Sequence, residues 1–220
     1  MAEDRAGIVD GVIRERRTVK VLADEAFPVT DVRPVVEELV DVAGWAPFHR
    51  VAARTHLEGA LTSIVPWRFY LVDADGCRAL RLALLARGDK SKIPRMLAAA
   101  SALVQATWLP NPAKGEHMGL FEATEENMEH VAAAGAAVQN LLLAAQARGI
   151  PNYWASGGAL RGADAFGWMG IPTGEILLGS LFLFPTETDG AEVSPGSHRN
   201  NRGTPSDWSR WVRLDLPDAG

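Results

Sequence analysis

The stretch from Thr124 to Arg148 constrains this chain more than any other. Thr124 can open it as an N-cap, Glu125 and Glu126 put negative charge in the first turn, and Arg148-Gly149 closes it, so the spacing predicts one long helix. Between those ends, Val131 to Ala147 is apolar on nearly every face. A helix of that kind has to be surrounded by other elements and is expected at the centre of the fold. The run Ala132-Ala133-Ala134-Gly135-Ala136-Ala137 offers small side chains for the close approach of another helix. Gln139, Asn140 and Gln146 interrupt the apolar stretch, which falls short of the roughly 20 apolar residues that span a bilayer. No membrane partner is expected.

The elements around it follow from periodicity. Ile8, Val9, Val12 and Ile13 predict a helix over 6–16, and Val35, Val36, Leu39, Val40 and Ala43 predict a second from Thr30 to Trp45, capped by Thr30 or Asp31. Pro47 stops it. Residues 50–65 read as an irregular loop with a short helical piece, followed by a strand over 67–72 that starts after Pro66. Helices are predicted over 77–87 and 91–99, and a strand over 102–108. A loop over 110–123 leads to the long helix. Beyond it come a turn-rich segment at 152–158, a short helix over 162–169 and the strand expected to be the most buried, 176–184. From Pro185 to Pro205 the chain reads as loop, and then a tail carries Trp208, Trp211 and Val212 to Leu216, an arm suited to packing on a second subunit.

Composition excludes several functions. With 22 Lys and Arg against 27 Asp and Glu, the net charge is −5, so no domain-wide basic field exists for nucleic acid. A single cysteine, Cys77, permits neither an intrachain disulfide nor a cysteine-based zinc site, and fits a reducing cytoplasm. The N-terminus lacks the apolar run of a secretory leader. His49, His56, His117, His130 and His198 show no metal-ligand spacing. The acidic group Glu116-His117, Glu122, Glu125, Glu126 and Glu129-His130 reads as a solvated helix start. No phosphate-cradling glycine motif and no nucleophile elbow is present. Cys77 follows Gly76 at a helix start, where the dipole could lower its pKa.

Three constellations could carry chemistry. Arg16-Arg17-Thr18-Val19-Lys20 offers guanidinium forks, a hydroxyl and a point charge, which suits a phosphate dianion and equally suits a solvated helix end. Gly44-Trp45-Ala46-Pro47-Phe48-His49 places an indole and an imidazole on a rigid turn, able to cover a flat ligand or simply to end a helix. Tyr153-Trp154-Ala155-Ser156-Gly157-Gly158 sets small residues beside an indole, where backbone groups can reach a flat ring.

In order and spacing, these groups resemble the nitroreductase family. The resemblance runs through Arg16-Arg17-Thr18-Val19-Lys20, Ala46-Pro47-Phe48-His49, Pro66-Trp67-Arg68-Phe69, Ala144-Ala145-Gln146-Ala147-Arg148-Gly149, Trp154-Ala155-Ser156-Gly157 and Gly170-Ile171-Pro172 with the strand after it. It covers about residues 8–185. It implies a single domain over 1–220 of α+β class, with a mostly antiparallel central sheet flanked by helices and an extended C-terminal arm over 186–220. It also implies a homodimer with FMN at the subunit interface. The phosphate would fall to Arg16, Arg17, Thr18 and Lys20, with Arg199 or Arg202 added from the arm. Trp45, His49, Trp154, Ala155 and Ser156 would contact the flavin. Residues 144–149 match a segment that contacts the nicotinamide nucleotide.

The activity so implied is a ping-pong cycle. NADH or NADPH reduces the flavin, and the flavin reduces a nitroaromatic, a quinone or a similar electron-poor small molecule. No catalytic acid or base and no metal is implied. The alternative is a flavin-sequestering member with a lidded site. Two departures motivate it: residues 50–65 lengthen the link between His49 and Pro66, and Ile64-Val65 stands where relatives often carry Asn or Gln.

Overall fold

The computed structural model describes residues 2–115 and 119–214. In chain order the elements are α1 (Ala2–Glu15), β1 (Val19–Leu22), α2 (Arg33–Gly44), β2 (Trp67–Asp73), α3 (Ala74–Ala86), α4 (Ile93–Ala99), β3 (Ala102–Trp108), α5 (Glu125–Ala147), β4 (Asn152–Ala155), α6 (Ala163–Met169), β5 (Ile176–Leu183), β6 (Glu192–Pro195) and α7 (Pro205–Trp208). Short 3-10 turns lie at Arg54–Leu57, Gly158–Arg161 and Ser197–Asn201. Glu116, His117, Asp215 and Leu216 fall outside the described residues.

β2, β3, β5 and β4 form one antiparallel sheet in that order. The period-2 alternation of β3 sorts its side chains between two layers. Ala102, Val104 and Ala106 face Val36, Leu39 and Ala43 of α2 and Val138, Leu141 and Leu142 of α5. Leu103 faces Cys77 and Leu80 of α3 and Met96 and Leu97 of α4. The fold is therefore α+β, with the sheet between two helical layers. β3 is buried along its whole length because both faces and both edges are covered. It, rather than β5, is the most buried strand.

α5 is the central helix that its composition demands. The Thr124 side chain accepts from the Asn127 amide at 3.2 Å, and Leu141, Val138 and Ala137 have no exposed surface. Its alanine run meets the indoles of Trp67 and Trp108 as well as Ala46, so small residues here admit aromatic rings of the sheet. α2 starts later than its sequence suggests. Val32 is the N-cap residue and makes no side-chain cap bond, while Asp31 accepts from the Arg33 amide at 3.0 Å.

Two segments read as turn and loop are strands. Residues 152–155 form the edge strand β4, paired with β5 from Asn152↔Leu183 to Ala155↔Ser180. Residues 192–195 pair with β1, from Val19↔Pro195 to Leu22↔Glu192. Each is only four residues long and owes its extension to a partner distant in sequence. Among the described residues no helix is long and apolar enough to cross a membrane.

Candidate functional site

A cleft of about 610 Å³ opens where α1 gives way to β1. Its walls are Arg16, Arg17, Thr18 and Lys20 on one side, Tyr153 and Trp154 of β4 behind, and Ser194 to Asn200 with Arg202 on the other. The β1–β6 pairing builds it. With Val19 opposite Pro195, the Gly196 amide donates to the Thr18 carbonyl at 2.8 Å, and the turn at Ser197–Asn201 is delivered beside Arg16.

Arg199 fastens that turn. Its Nη1 donates to the Arg16 carbonyl at 2.6 Å, and its Nη2 donates to the Arg14 carbonyl. These contacts satisfy carbonyls at the end of α1 that have no intrahelical partner. Arg202 Nε in turn donates to the Arg199 carbonyl at 3.1 Å. Lys20 Nζ lies 4.9 Å from the Tyr153 ring centroid, in cation–π range.

Trp154 reaches the cleft because β5 carries a glycine beneath it. A Cβ on Gly179 would sit 2.0 Å from the indole Nε1, so only glycine lets the ring lie there. Beyond it, Gly157 takes φ 104°, a left-handed value, and a Cβ there would collide with Leu177.

Electrostatics set this cleft apart. Arg16, Arg17, Lys20, Arg199 and Arg202 line it, and no carboxylate does. The guanidinium of Arg16 is held below its usual pKa, first by burial and then by repulsion from Arg199 and Arg202. None of the five ion-pairs with a described carboxylate. Cations gathered against their own repulsion, with hydroxyls from Thr18, Ser194 and Ser197, form a donor set for a polyanion.

The model of the nitroreductase family matches residues 13–181. The chain belongs to the nitroreductase family. The likeness extends to solved structures over nearly the full length of both chains. A nitroreductase-like protein from Bacillus cereus has a TM-score of 0.64 at 23% identity, covering 94% of this chain and 96% of that one. A putative nitroreductase from Desulfovibrio desulfuricans, in complex with FMN, has a TM-score of 0.58 at 21% identity and covers 95% and 98%. The FMN-dependent nitroreductase NfnB from Mycobacterium smegmatis, in complex with NADPH, has a TM-score of 0.59 at 14% identity and covers 95% and 100%. At these identities the likeness establishes the fold. No curated protein sequence matches the chain.

The structure gathers some of the expected site residues and leaves others apart. Arg16, Arg17, Thr18, Lys20, Trp154, Arg199 and Arg202 share the cleft. Ala155 points its methyl into the core. Ser156 is exposed, with its carbonyl accepting from Arg161 Nε at 3.1 Å and Nη2 at 2.7 Å. Trp45 and His49 do not line the cleft. His49 Nδ1 is 3.3 Å from both carboxylate oxygens of Glu129, which also takes Arg50 Nε at 3.3 Å. Nearby, Phe48 packs edge-on against Trp67 of β2, at the opposite side of the sheet from β4. Trp45 is 83% exposed. Ser194 and Asn200, which carry no sequence signal, line the cleft through the β1–β6 pairing.

The long 50–65 link is organised by Arg68, which is 4% exposed. Its Nη1 donates to the carbonyls of Val65 at 2.9 Å and Trp67 at 2.8 Å. Its Nη2 donates to those of His56 at 3.3 Å, Leu61 at 3.2 Å and Ser63 at 2.8 Å. Next to it, buried Glu175 accepts from the Tyr70 hydroxyl at 2.7 Å and the Thr107 hydroxyl at 2.5 Å. Burial, and then the bond to Glu175, raises the Tyr70 phenol above its usual pKa.

Cys77 is corrected. It lies in the first turn of α3 with no exposed surface, and burial pushes its thiol up to about 12, overriding any lowering by the helix N-terminus. Among the described residues no group of three or more His, Cys, Asp or Glu is placed to hold a metal.

Proposed function

We propose that this protein is an FMN-dependent oxidoreductase. It takes electrons from NADH or NADPH and delivers them to a nitroaromatic, a quinone or a similar electron-poor small molecule. One observation carries the reading: the five cations of the cleft have no carboxylate among them and need an anion. Membership of the nitroreductase family supports an oxidoreductase, and the FMN bound to the Desulfovibrio neighbour and the FMN dependence of the Mycobacterium one support the identity of that anion.

The cleft fits the group. Its volume lies within the range of cofactor sites, and its donors suit a phosphate dianion at the α1–β1 end. Arg16, Arg17, Thr18 and Lys20 would hold the phosphate, and guanidinium forks suit its oxygens. Trp154, seated on Gly179, presents an indole at the back wall where a flat ring needs apolar cover. Bound flavin would supply the two-electron chemistry of a ping-pong cycle, and the chain's own residues bind and orient it.

Trp45 and His49 enter through a second subunit in this reading. They lie away from the cleft of their own chain, and Trp45 is almost bare. Ile8, Val9 and Ile13 of α1, Phe48, and Trp208 and Trp211 of the arm also expose apolar surface, which a homodimer would cover.

The test is spectroscopic. Purified protein supplied with FMN should show a bound-flavin band at about 450 nm that bleaches anaerobically with NADH or NADPH. No band would sink the reading. A band that neither donor bleaches would make the protein a flavin store.

A further inference from the structure

One wall of the cleft is made by a segment with no core of its own. Among residues 192–202 no side chain is buried. The segment pairs with β1 over four residues, and its Gly196 amide donates to the Thr18 carbonyl at 2.8 Å. At its far end Glu192 meets Arg95 Nη1 at 3.3 Å. β1 is the anchored partner, since Val21 and Leu22 lie in the core with Leu97 and Phe182. A segment held by hydrogen bonds over so little apolar surface lies at the low end of local stability. Charge works against it as well. Docking brings Arg199 and Arg202 up to Arg16, and their repulsion adds to burial in lowering the pKa of that guanidinium. No carboxylate lines the cleft to offset this. Arg199 provides the opposing tie. Its terminal nitrogens donate to the Arg16 carbonyl at 2.6 Å and to the Arg14 carbonyl, so its fork is turned to the end of α1.

We propose that Arg199 is a positioning residue: it latches the 192–202 wall to the end of α1, and this docking is thermodynamically coupled to binding of the flavin phosphate. The inference rests on the flavin phosphate occupying the cleft. An anion among Arg16, Arg17 and Lys20 cancels the repulsion that docking has to overcome. Docking therefore strengthens phosphate binding, and phosphate binding strengthens docking by the same factor. Arg199 acts through the two carbonyls and the wall they hold, without gripping the phosphate itself.

The experiment combines hydrogen exchange with flavin titration for wild type, Arg199→Gln, Arg199→Lys and Arg17→Ala. In flavin-free protein, Arg199→Gln should speed exchange of the Gly196 amide and the β1–β6 amides by about tenfold or more, while Arg17→Ala stays within about twofold of wild type. FMN affinity should fall about tenfold in Arg199→Gln, and riboflavin affinity by less than about threefold, because only the phosphate end of the site is displaced. FMN should slow the same amides of wild type by about tenfold. Arg199→Lys keeps the charge, and its FMN affinity should follow its exchange rate: weak binding if the wall exchanges fast, tight binding if it exchanges slowly. An Arg199→Lys protein that exchanges fast yet binds FMN like wild type would make Arg199 a phosphate ligand and overturn the proposal. So would unchanged exchange in flavin-free Arg199→Gln, or fast exchange there with unchanged FMN affinity. Wild type that binds FMN without slowing these amides would overturn the coupling and leave the flavin assignment standing. Wild type that binds no FMN would overturn the flavin assignment and this proposal with it.

Discussion

Arg16 and Arg68 are both withdrawn from water, and burial lowers the pKa of each. Their surroundings are opposite. Arg68 gives its terminal nitrogens to five carbonyls, and the charge of Glu175 raises its pKa in partial compensation. Arg16 faces Arg199 and Arg202, which lower its pKa further. A cation whose two terminal nitrogens are both bonded to carbonyls holds the structure together. Cations assembled against their own repulsion mark where something else has to bind. The 50–65 link, which its length alone suggests as a lid, belongs to the first kind. It is a loop wound around one buried guanidinium.

That contrast can be broken by mutation. Arg68→Ala removes the donor of five carbonyls and leaves a cavity, and should cost about 3 kcal/mol or more of stability, read from urea unfolding. A loss below about 1 kcal/mol would mean the link does not depend on this residue. Arg17→Ala should do the reverse. FMN affinity should fall about ten- to a hundredfold in a fluorescence titration, while stability stays within about 0.5 kcal/mol of wild type, because the side chain is exposed. An unchanged dissociation constant would remove Arg17 from the phosphate site.

Salt should separate the two regions more gently. Raising ionic strength from about 0.05 to 0.5 M should weaken FMN binding severalfold, since the cleft is open to solvent, and should leave the Arg68 loop intact by hydrogen exchange.

The smallest effect concerns Cys77. Its folded pKa of about 12 lies above that of a free thiol, so its contribution to stability is complete below the unfolded value of about 8.5 and is lost as pH rises toward 12. Native protein should resist alkylation at neutral pH, and the wild type should lose stability relative to Cys77→Ala as pH climbs through that window. Rapid labelling of folded protein near pH 7 would contradict the burial.

Much of this architecture was legible in the chain. α5 declares itself through Thr124, its acidic first turn and its largely apolar middle. β2, β3 and β5 declare themselves as short apolar runs with clear borders. β1, β4 and β6 did not, since each is four residues long and is extended only because a partner lies beside it. The same cause hid half of the site. Arg16 to Lys20 could be read as a phosphate cluster or as a solvated helix end. The pairing of Val19 with Pro195 brings the arm's arginines to that cluster from a distant part of the chain, and four residues among glycines, serines and prolines give no sign of it. Cys77 departs from its sequence expectation for a related reason, because proximity to a helix start is local whereas burial is a property of the whole core.

The central claim is that this cleft recognises a phosphate on a flavin. The most direct measurement compares the dissociation constants of FMN and riboflavin, which differ only in that phosphate, by flavin fluorescence at low ionic strength. The account predicts that FMN binds at least about a hundredfold more tightly, the combined effect of several charge-assisted contacts. Equal affinities, or no binding of either, would contradict it.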